Sequence, residues 1–440
     1  MSIEGEGEQT LGRPRWPDRI AVSQLADGFA YVPNELLIRE ASRDRLRELI
    51  SSELPEAGEG SSPWQLITLT KEDPDPLAVI AVLRSEGLDA QPNHVFFAHG
   101  CSPCEQGPHP SAQLAPPGGV GANPWRSNPW RSNPWRSNPW RSNEAPTSTA
   151  CPERDRELAT RPELVGPGGH PRILVLDTGL ATGAQCPHLL DPPPGAAARI
   201  TGQPDLPDAQ ITATDGRVFP PDNYLDPVAG HGTFIAGLIE QLAPGCTITV
   251  EHVISPMGDG KESDIVDRIT AARLEGSADI ISMSFGGQVL EQPFAMRGAV
   301  AAARLAGIVM VASAGNDGVC IPQYPAALDE VIGVAAVGPG GPPEWTNYGE
   351  WVDACAPGVD LVSAFFADFN GDFPMMNTVD IDHFVQWARW SGTSFSAPVV
   401  VAALAREMVM GNVDANEAVQ RLVRAPHLLR LPCLGTVVNI

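Results

Sequence analysis

Apolar and polar positions divide the chain into three regimes. Between Phe29 and His99, ELLIRE, SRDRLRELISSEL, WQLITLT, DPLAVIAVLRSEG and NHVFFA follow one another. The first, third and fifth read as strands, and the second and fourth carry helical spacing. In the second, Leu46, Leu49, Ile50 and Leu54 recur at three- and four-residue intervals, and Ser42 stands where an N-cap belongs. Such a helix needs a sheet to cover, so residues 29–99 are expected to fold as a small α/β unit behind a polar tail, 1–28.

From 100 to 168 the periodicity disappears into Pro, Gly, Ser and Asn, which predicts a linker. Within it NPWRS occurs four times from Asn123 to Ser142. A period of five matches neither helix nor strand, and each Asn-Pro pair disfavours helix, so an extended or turn-rich ribbon is expected. The repeat reads first as a duplicated, solvated linker and second as a cleavage or docking segment presenting Trp-Arg units.

Regular alternation returns over 169–440, with strands RILVLD, TITVEHV, DIISMSF, GIVMVASA and VIGVAAV. Helices are predicted near Phe234–Leu242, Ser263–Leu274 and Phe294–Leu305. Continuous apolar strands between helices indicate a mostly parallel sheet with helices on both faces, an α/β fold, and ligands then belong at the strands' C-terminal ends.

Composition narrows the function. With 29 Lys and Arg against 53 Asp and Glu, the formal charge of −24 opposes general affinity for nucleic acid or anionic lipid. The start MSIEGEGEQTLGRPRWPDR has neither a basic leader nor an apolar core, so a cytoplasmic chain is expected. No run approaches 18 apolar residues, and no membrane partner is expected. The eight cysteines are scattered and read as reduced thiols, with Cys320 expected as a buried small hydrophobe.

Three motifs stand in order. Asp177 closes ILVLD before Thr178 and Gly179; His231 sits in GHGT at a helix start; Ser394 sits in SGTSFSAP. A serine hydroxyl is a poor nucleophile until an imidazole takes its proton, the role open to His231. A carboxylate on the other ring nitrogen fixes the tautomer, which suits Asp177. Ser394 precedes a small-residue, apolar helix in which Pro398 fits only an early turn. The developing oxyanion needs donors, and Asn316, in AGND just past a strand, can supply an amide beside the Ser394 N–H.

Through DTG at 177–179, GHGTFIAG at 230–237, SMSFGG at 282–287, AGND at 314–317 and SGTSFSAP at 391–398, the stretch from Val165 to Ile440 resembles the subtilases, the subtilisin-like serine proteases. The resemblance implies Asp177, His231 and Ser394 as triad and Asn316 as oxyanion donor. It also implies Ser284, Phe285 and Gly286 as an edge on which substrate pairs as an added strand, and YPAAL at 324–328 as the far wall of a specificity pocket. Phe234 replaces the second histidine of the family's HGTHVAG, and residues 368–390 are an insertion that could form a lid. More loosely, residues 31–98 resemble the inhibitory propeptide of subtilases, a small α+β domain whose tail occupies the cleft. It would act as an intramolecular inhibitor, with self-cleavage in 100–168 and the NPWRS arginines as candidate sites.

The expected function is a serine endopeptidase acting on polypeptides through an acyl-enzyme on Ser394. A peptide ligase or maturase using the same triad, and a non-catalytic interaction protein, stand as alternatives. No cofactor is required. Calcium is a candidate at DFNGD, 368–372, although Val379 stands at the twelfth position of that loop. Cys101 and Cys104, near His94, His99 and His109, lack a second ligand pair, so no zinc site is expected. Asp317 is a candidate rim charge or specificity carboxylate.

Overall fold

The computed structural model describes residues 21–22, 29–51, 54, 62–98, 147–149, 169–190, 198–212, 218–219, 221, 225–226, 228–289, 292–375 and 378–439. The NPWRS repeats, His99, Cys101, Cys104 and His109 fall outside these residues.

In the first unit strands β1 (Ala21–Val22), β2 (Ala30–Arg39), β3 (Trp64–Thr68) and β4 (Ala90–Ala98) alternate with helices α1 (Arg43–Leu49) and α2 (Pro76–Ser85). Strand β2 pairs antiparallel with each of the other three. Alternation along β2 sends Leu36 and Ile38 to the helices, into a core with Leu46, Val79 and Leu83. Leu37 points the other way and joins Trp64, Phe96 and Ala98 in the core of the large unit. The unit is therefore packed on its neighbour by its second sheet face. Two local expectations are corrected. The first strand lies inside the supposed tail 1–28. Ser42 does not cap α1: a 3-10 turn, Glu40–Ser42, precedes the helix, Ser42 is already helical (φ −89, ψ −8), and its hydroxyl donates to Asp89 O at 2.8 Å.

The large unit follows strand β5 (Thr147–Ser148). It runs β6 (Arg172–Asp177), β7 (Ile200–Gly202), the small hairpin β8 (Ile211–Thr212) and β9 (Val218–Phe219), α3 (His231–Leu242), β10 (Thr247–His252) and β11 (Asp259–Lys261). Next come α4 (Glu262–Glu275), β12 (Ile280–Met283), β13 (Phe285–Gly286), α5 (Phe294–Leu305), β14 (Val309–Ser313), β15 (Val331–Val337) and β16 (Ala354–Pro357). Strands β17 (Leu361–Ala364), β18 (Phe369–Met375), β19 (Thr378–Phe384) and β20 (Trp387–Trp390) lead to α6 (Thr393–Met410), α7 (Ala415–Val419), β21 (Arg430–Leu431) and β22 (Gly435–Val437).

Nine strands form the central sheet in the order β21-β22-β16-β15-β14-β12-β6-β10-β7. Every described neighbour pair in it is parallel except β21 with β22. Ile173 and Val175 of β6 face α3, α6 and α7 on one side. Leu174 and Leu176 face α4 and α5 on the other. Both faces are covered, which is why these strands read as uninterrupted apolar runs. From β6 the chain turns to β10 on one side and then to β12 on the other. The C-terminal ends of β6 and β12 thus flank a point where the winding reverses, the place an open α/β sheet offers a ligand.

Helix α6 is long and apolar enough to cross a membrane, yet every residue from Thr393 to Ala405 is buried in the protein. It is the central core helix. The insertion 368–390 contains the β18–β19 hairpin, so the expected calcium-loop start is a paired strand, with Asp368 3.5 Å from His383 Nε2.

Candidate active site

Asp177 ends β6, and its backbone carbonyl accepts from Val253 and Ile254 N–H (2.9 and 3.1 Å), which pins the strand end. Its Oδ1 accepts from Thr178 N–H at 2.8 Å and lies 2.7 Å from His231 Nδ1. A carboxylate only accepts, so Nδ1 carries the proton and Nε2 is left with its lone pair. That Nε2 is buried and has no hydrogen-bond partner among the described residues. His231 opens α3 directly after Gly230, whose φ of 82 begins the helix in the left-handed region. Close approach explains the glycine that follows His231: a Cβ on Gly232 would sit 2.3 Å from Gly179 O.

The imidazole is walled by aromatic rings, Trp390 edge-on at 5.4 Å and Phe395 at 5.2 Å between centroids. Phe395 is the neighbour of Ser394, so the N-terminus of α6, which carries the nucleophile candidate, lies beside the imidazole. The Ser394 hydroxyl donates to Ser284 O at 3.2 Å, and Ser284 Oγ donates to Ser394 O at 2.7 Å. Pro398 explains the second bond. It is the sixth residue of α6 rather than an early-turn residue, and its missing N–H would have bonded the carbonyl four residues back, that of Ser394. The freed carbonyl takes the serine hydroxyl of the neighbouring edge instead.

Asn316 is brought to the same place. Its Oδ1 accepts from both the N–H and the hydroxyl of Thr393 (2.9 Å each), and Thr393 Oγ1 accepts from Gly315 N–H at 3.0 Å. Asn347 braces this loop from behind, accepting from Asp317 and Val319 N–H and donating to Ala314 O. The structure thus brings together all four polar residues singled out in the sequence. The Asp177–His231 bond is formed, whereas the Ser394 hydroxyl is bonded to Ser284.

The edge Ser284–Gly286 is already occupied. Strand β13 pairs antiparallel with β4, Phe285 opposite Ala98 and Gly286 opposite Phe97. On its other side β4 pairs with β11, Phe97 opposite Asp259 and Val95 opposite Lys261. Buried polar groups anchor it: Glu262 Oε2 accepts from Gln91 Nε2 at 2.8 Å and lies 2.6 Å from His94 Nδ1. His94 is thus used inside this interface. Tyr324, heading YPAAL, exchanges two backbone bonds of 2.9 Å with Gly287 and so continues the edge. Triad candidates Asp177, His231 and Ser394 are all buried beneath this arrangement.

Some residues at the site had weak signals or none. Thr178 and Thr233 sit inside the motifs and link them: Thr178 Oγ1 accepts from Gly232 N–H, and Thr233 Oγ1 from Ala181 N–H. Asp205 lies in the Pro-rich connection between the motifs, is buried, and has its carboxyl pushed up to about 8, chiefly by burial. Cys320 corrects the reading of a buried hydrophobe: it is exposed, because the loop after Asn316 is held by its backbone and leaves the side chain outside. Asp317 is exposed as well. Among the described residues Cys246, Cys320, Cys355 and Cys433 are free thiols. No cluster of three metal-ligating side chains occurs among the described residues.

A profile described as "Subtilase family" matches residues 173–424. The thermophilic serine proteinase of Bacillus sp. (strain AK1) is 32% identical over 215 residues, 46% of this chain and 49% of that protein. Thermitase of Thermoactinomyces vulgaris is 30% identical over 212 residues, 46% of this chain and 67% of that one. The chain therefore spans about half the length of the first relative and two thirds of the second. Among solved structures, a lanthipeptide protease superposes with a TM-score of 0.47 at 21% identity, covering 65% of this chain and 90% of that one. With more than half of its length matched by the family profile and the motifs gathered at one sheet edge, this chain belongs to the subtilase family.

Proposed function

We propose that the chain is a serine endopeptidase made as a self-inhibited precursor, with Ser394 as nucleophile, His231 as general base and Asp177 as the carboxylate that orients it. The observation that carries the reading is the 2.7 Å bond from Asp177 to His231, which leaves Nε2 basic beside the N-terminus of the serine-bearing helix. A substrate pairing on Ser284–Gly286 takes the Ser284 carbonyl with its own N–H, and the Ser394 hydroxyl turns to Nε2. Oγ then bonds to the scissile carbonyl carbon while its proton passes to Nε2. Negative charge on the former carbonyl oxygen is met by the Asn316 amide and the Ser394 N–H at the helix N-terminus. Nε2 returns the proton to the departing amine, and water, deprotonated by the same nitrogen, releases the acyl group.

Residues 29–98 serve as the inhibitor in this reading, and β4 on both substrate-side strands supports it. Replacing Ser394 with Ala abolishes peptide hydrolysis and labelling by an active-serine phosphonate; labelling that persists in the variant would refute the assignment. The occupied edge also favours a second reading, a permanently blocked interaction protein. That one requires no turnover after the chain is cut between the two units.

A further inference from the structure

The segment that joins the Asp and His motifs does more than connect them. Asp205 Oδ2 accepts two hydrogen bonds, from Gly230 N–H at 2.8 Å and from Thr178 Oγ1 at 2.7 Å. Gly230 precedes His231, and Thr178 follows Asp177. The Thr178 oxygen passes the constraint on by accepting from Gly232 N–H at 3.0 Å, so the amides on both sides of His231 hang from one carboxyl. Asp205 is itself fastened to the Asp177 side, since its own N–H donates to Leu180 O at 2.9 Å and Gln203 O accepts from Leu180 N–H at 2.8 Å. Gly179 permits that approach: a Cβ there would meet Gln203 O at 2.7 Å, and its φ of 109 is open to glycine.

We infer that Asp205 is a positioning residue of the triad, clamping the backbone on either side of His231 to the turn after Asp177 and so setting the Asp177–His231 distance. The inference rests on the protease reading above. Burial keeps the Asp205 carboxyl protonated at neutral pH, so it fixes backbone without adding a second buried charge beside Asp177. The Asp177 carboxylate pushes in the same direction. A neutral acceptor suffices for this task, and asparagine can supply one.

The test compares wild type, Asp205→Ala and Asp205→Asn on a chromogenic peptide anilide, with phosphonate labelling rates alongside. Misplacing a catalytic group by an ångström costs about a hundredfold in rate, so the alanine variant is expected to lose about that in kcat with KM little changed. Labelling slows in parallel, and asparagine recovers most of the loss. A purely structural role would lower the melting temperature of both variants and leave kcat intact below it. An alanine variant with wild-type kcat, or an asparagine variant no better than alanine, overturns the inference. If the alanine variant does not fold, Thr178→Val carries the test, because it removes the linking hydroxyl while keeping the shape; unchanged kcat again overturns it. A wild type that neither hydrolyses nor labels after cutting defeats the protease reading itself, and this inference with it.

Discussion

Phe234 stands one turn along α3 from His231, where the family's HGTHVAG has a second histidine. Its ring lies 4.6 Å from Phe395 and 5.8 Å from Trp390, so it backs the two rings that hold the imidazole. It is fully buried, and Phe234→Ala should cost about 3–5 kcal/mol of stability, read as the shift in urea midpoint of a Ser394→Ala background that cannot digest itself. Asp205 makes a second prediction through pH. Its carboxyl moves from an ordinary value of 3.8 to about 8 on folding, so between these values the folded chain holds a proton that the unfolded chain has released. Its contribution is complete below the lower value, falls as pH rises through the window and levels off above about 8. Asp205→Asn should flatten that slope in denaturation midpoints collected from pH 4 to 9.

Helices α4 and α5 begin at the interface with the first unit, and their open N–H groups are met by side chains from both units. Asn93 Oδ1 accepts from Ser263 N–H at 3.1 Å, Gln91 Oε1 from Ala295 N–H at 3.1 Å, and Glu262 Oε1 from Met296 N–H at 3.0 Å. Losing a cap acceptor costs about 1 kcal/mol, so Asn93→Ala should destabilise the uncut chain by that amount in a denaturant titration. Most of these elements were legible in the sequence. The five large-unit strand runs and α5 match closely, because a buried parallel strand is a plain apolar run. Apolar spacing alone begins α3 at Phe234, three residues late, because His231 and Gly232 are polar or small, whereas the GHGT motif already puts His231 at a helix start. Ser42 misled for a related reason: a capping residue type is a local cue, and the 3-10 turn before it had already begun the helix.

Across the whole molecule, β4 leads straight from the first unit onto the candidate substrate edge, and the chain returns at β5, which pairs with β20 next to α6. Ala98 lies opposite Phe285, next to Ser284, whose carbonyl holds the Ser394 hydroxyl. Incubated wild-type chain should therefore be cut between 98 and 147, and its activity on added peptide should rise with the cut. Intact mass against time, with Ser394→Ala remaining full length, checks this; a wild type that stays uncut while hydrolysing added peptide would contradict it. The candidate residues of the proposed chemistry and the class of fold were legible in the sequence alone, because a triad needs particular side chains and a two-sided sheet needs apolar strands. Only the tertiary structure decided that Asp205 ties the two motifs together, that Pro398 frees a carbonyl for Ser284, and that the chain's own strand fills its edge. Each of these depends on backbone groups far apart in the chain meeting within hydrogen-bond reach, and one-dimensional pattern carries no such distances.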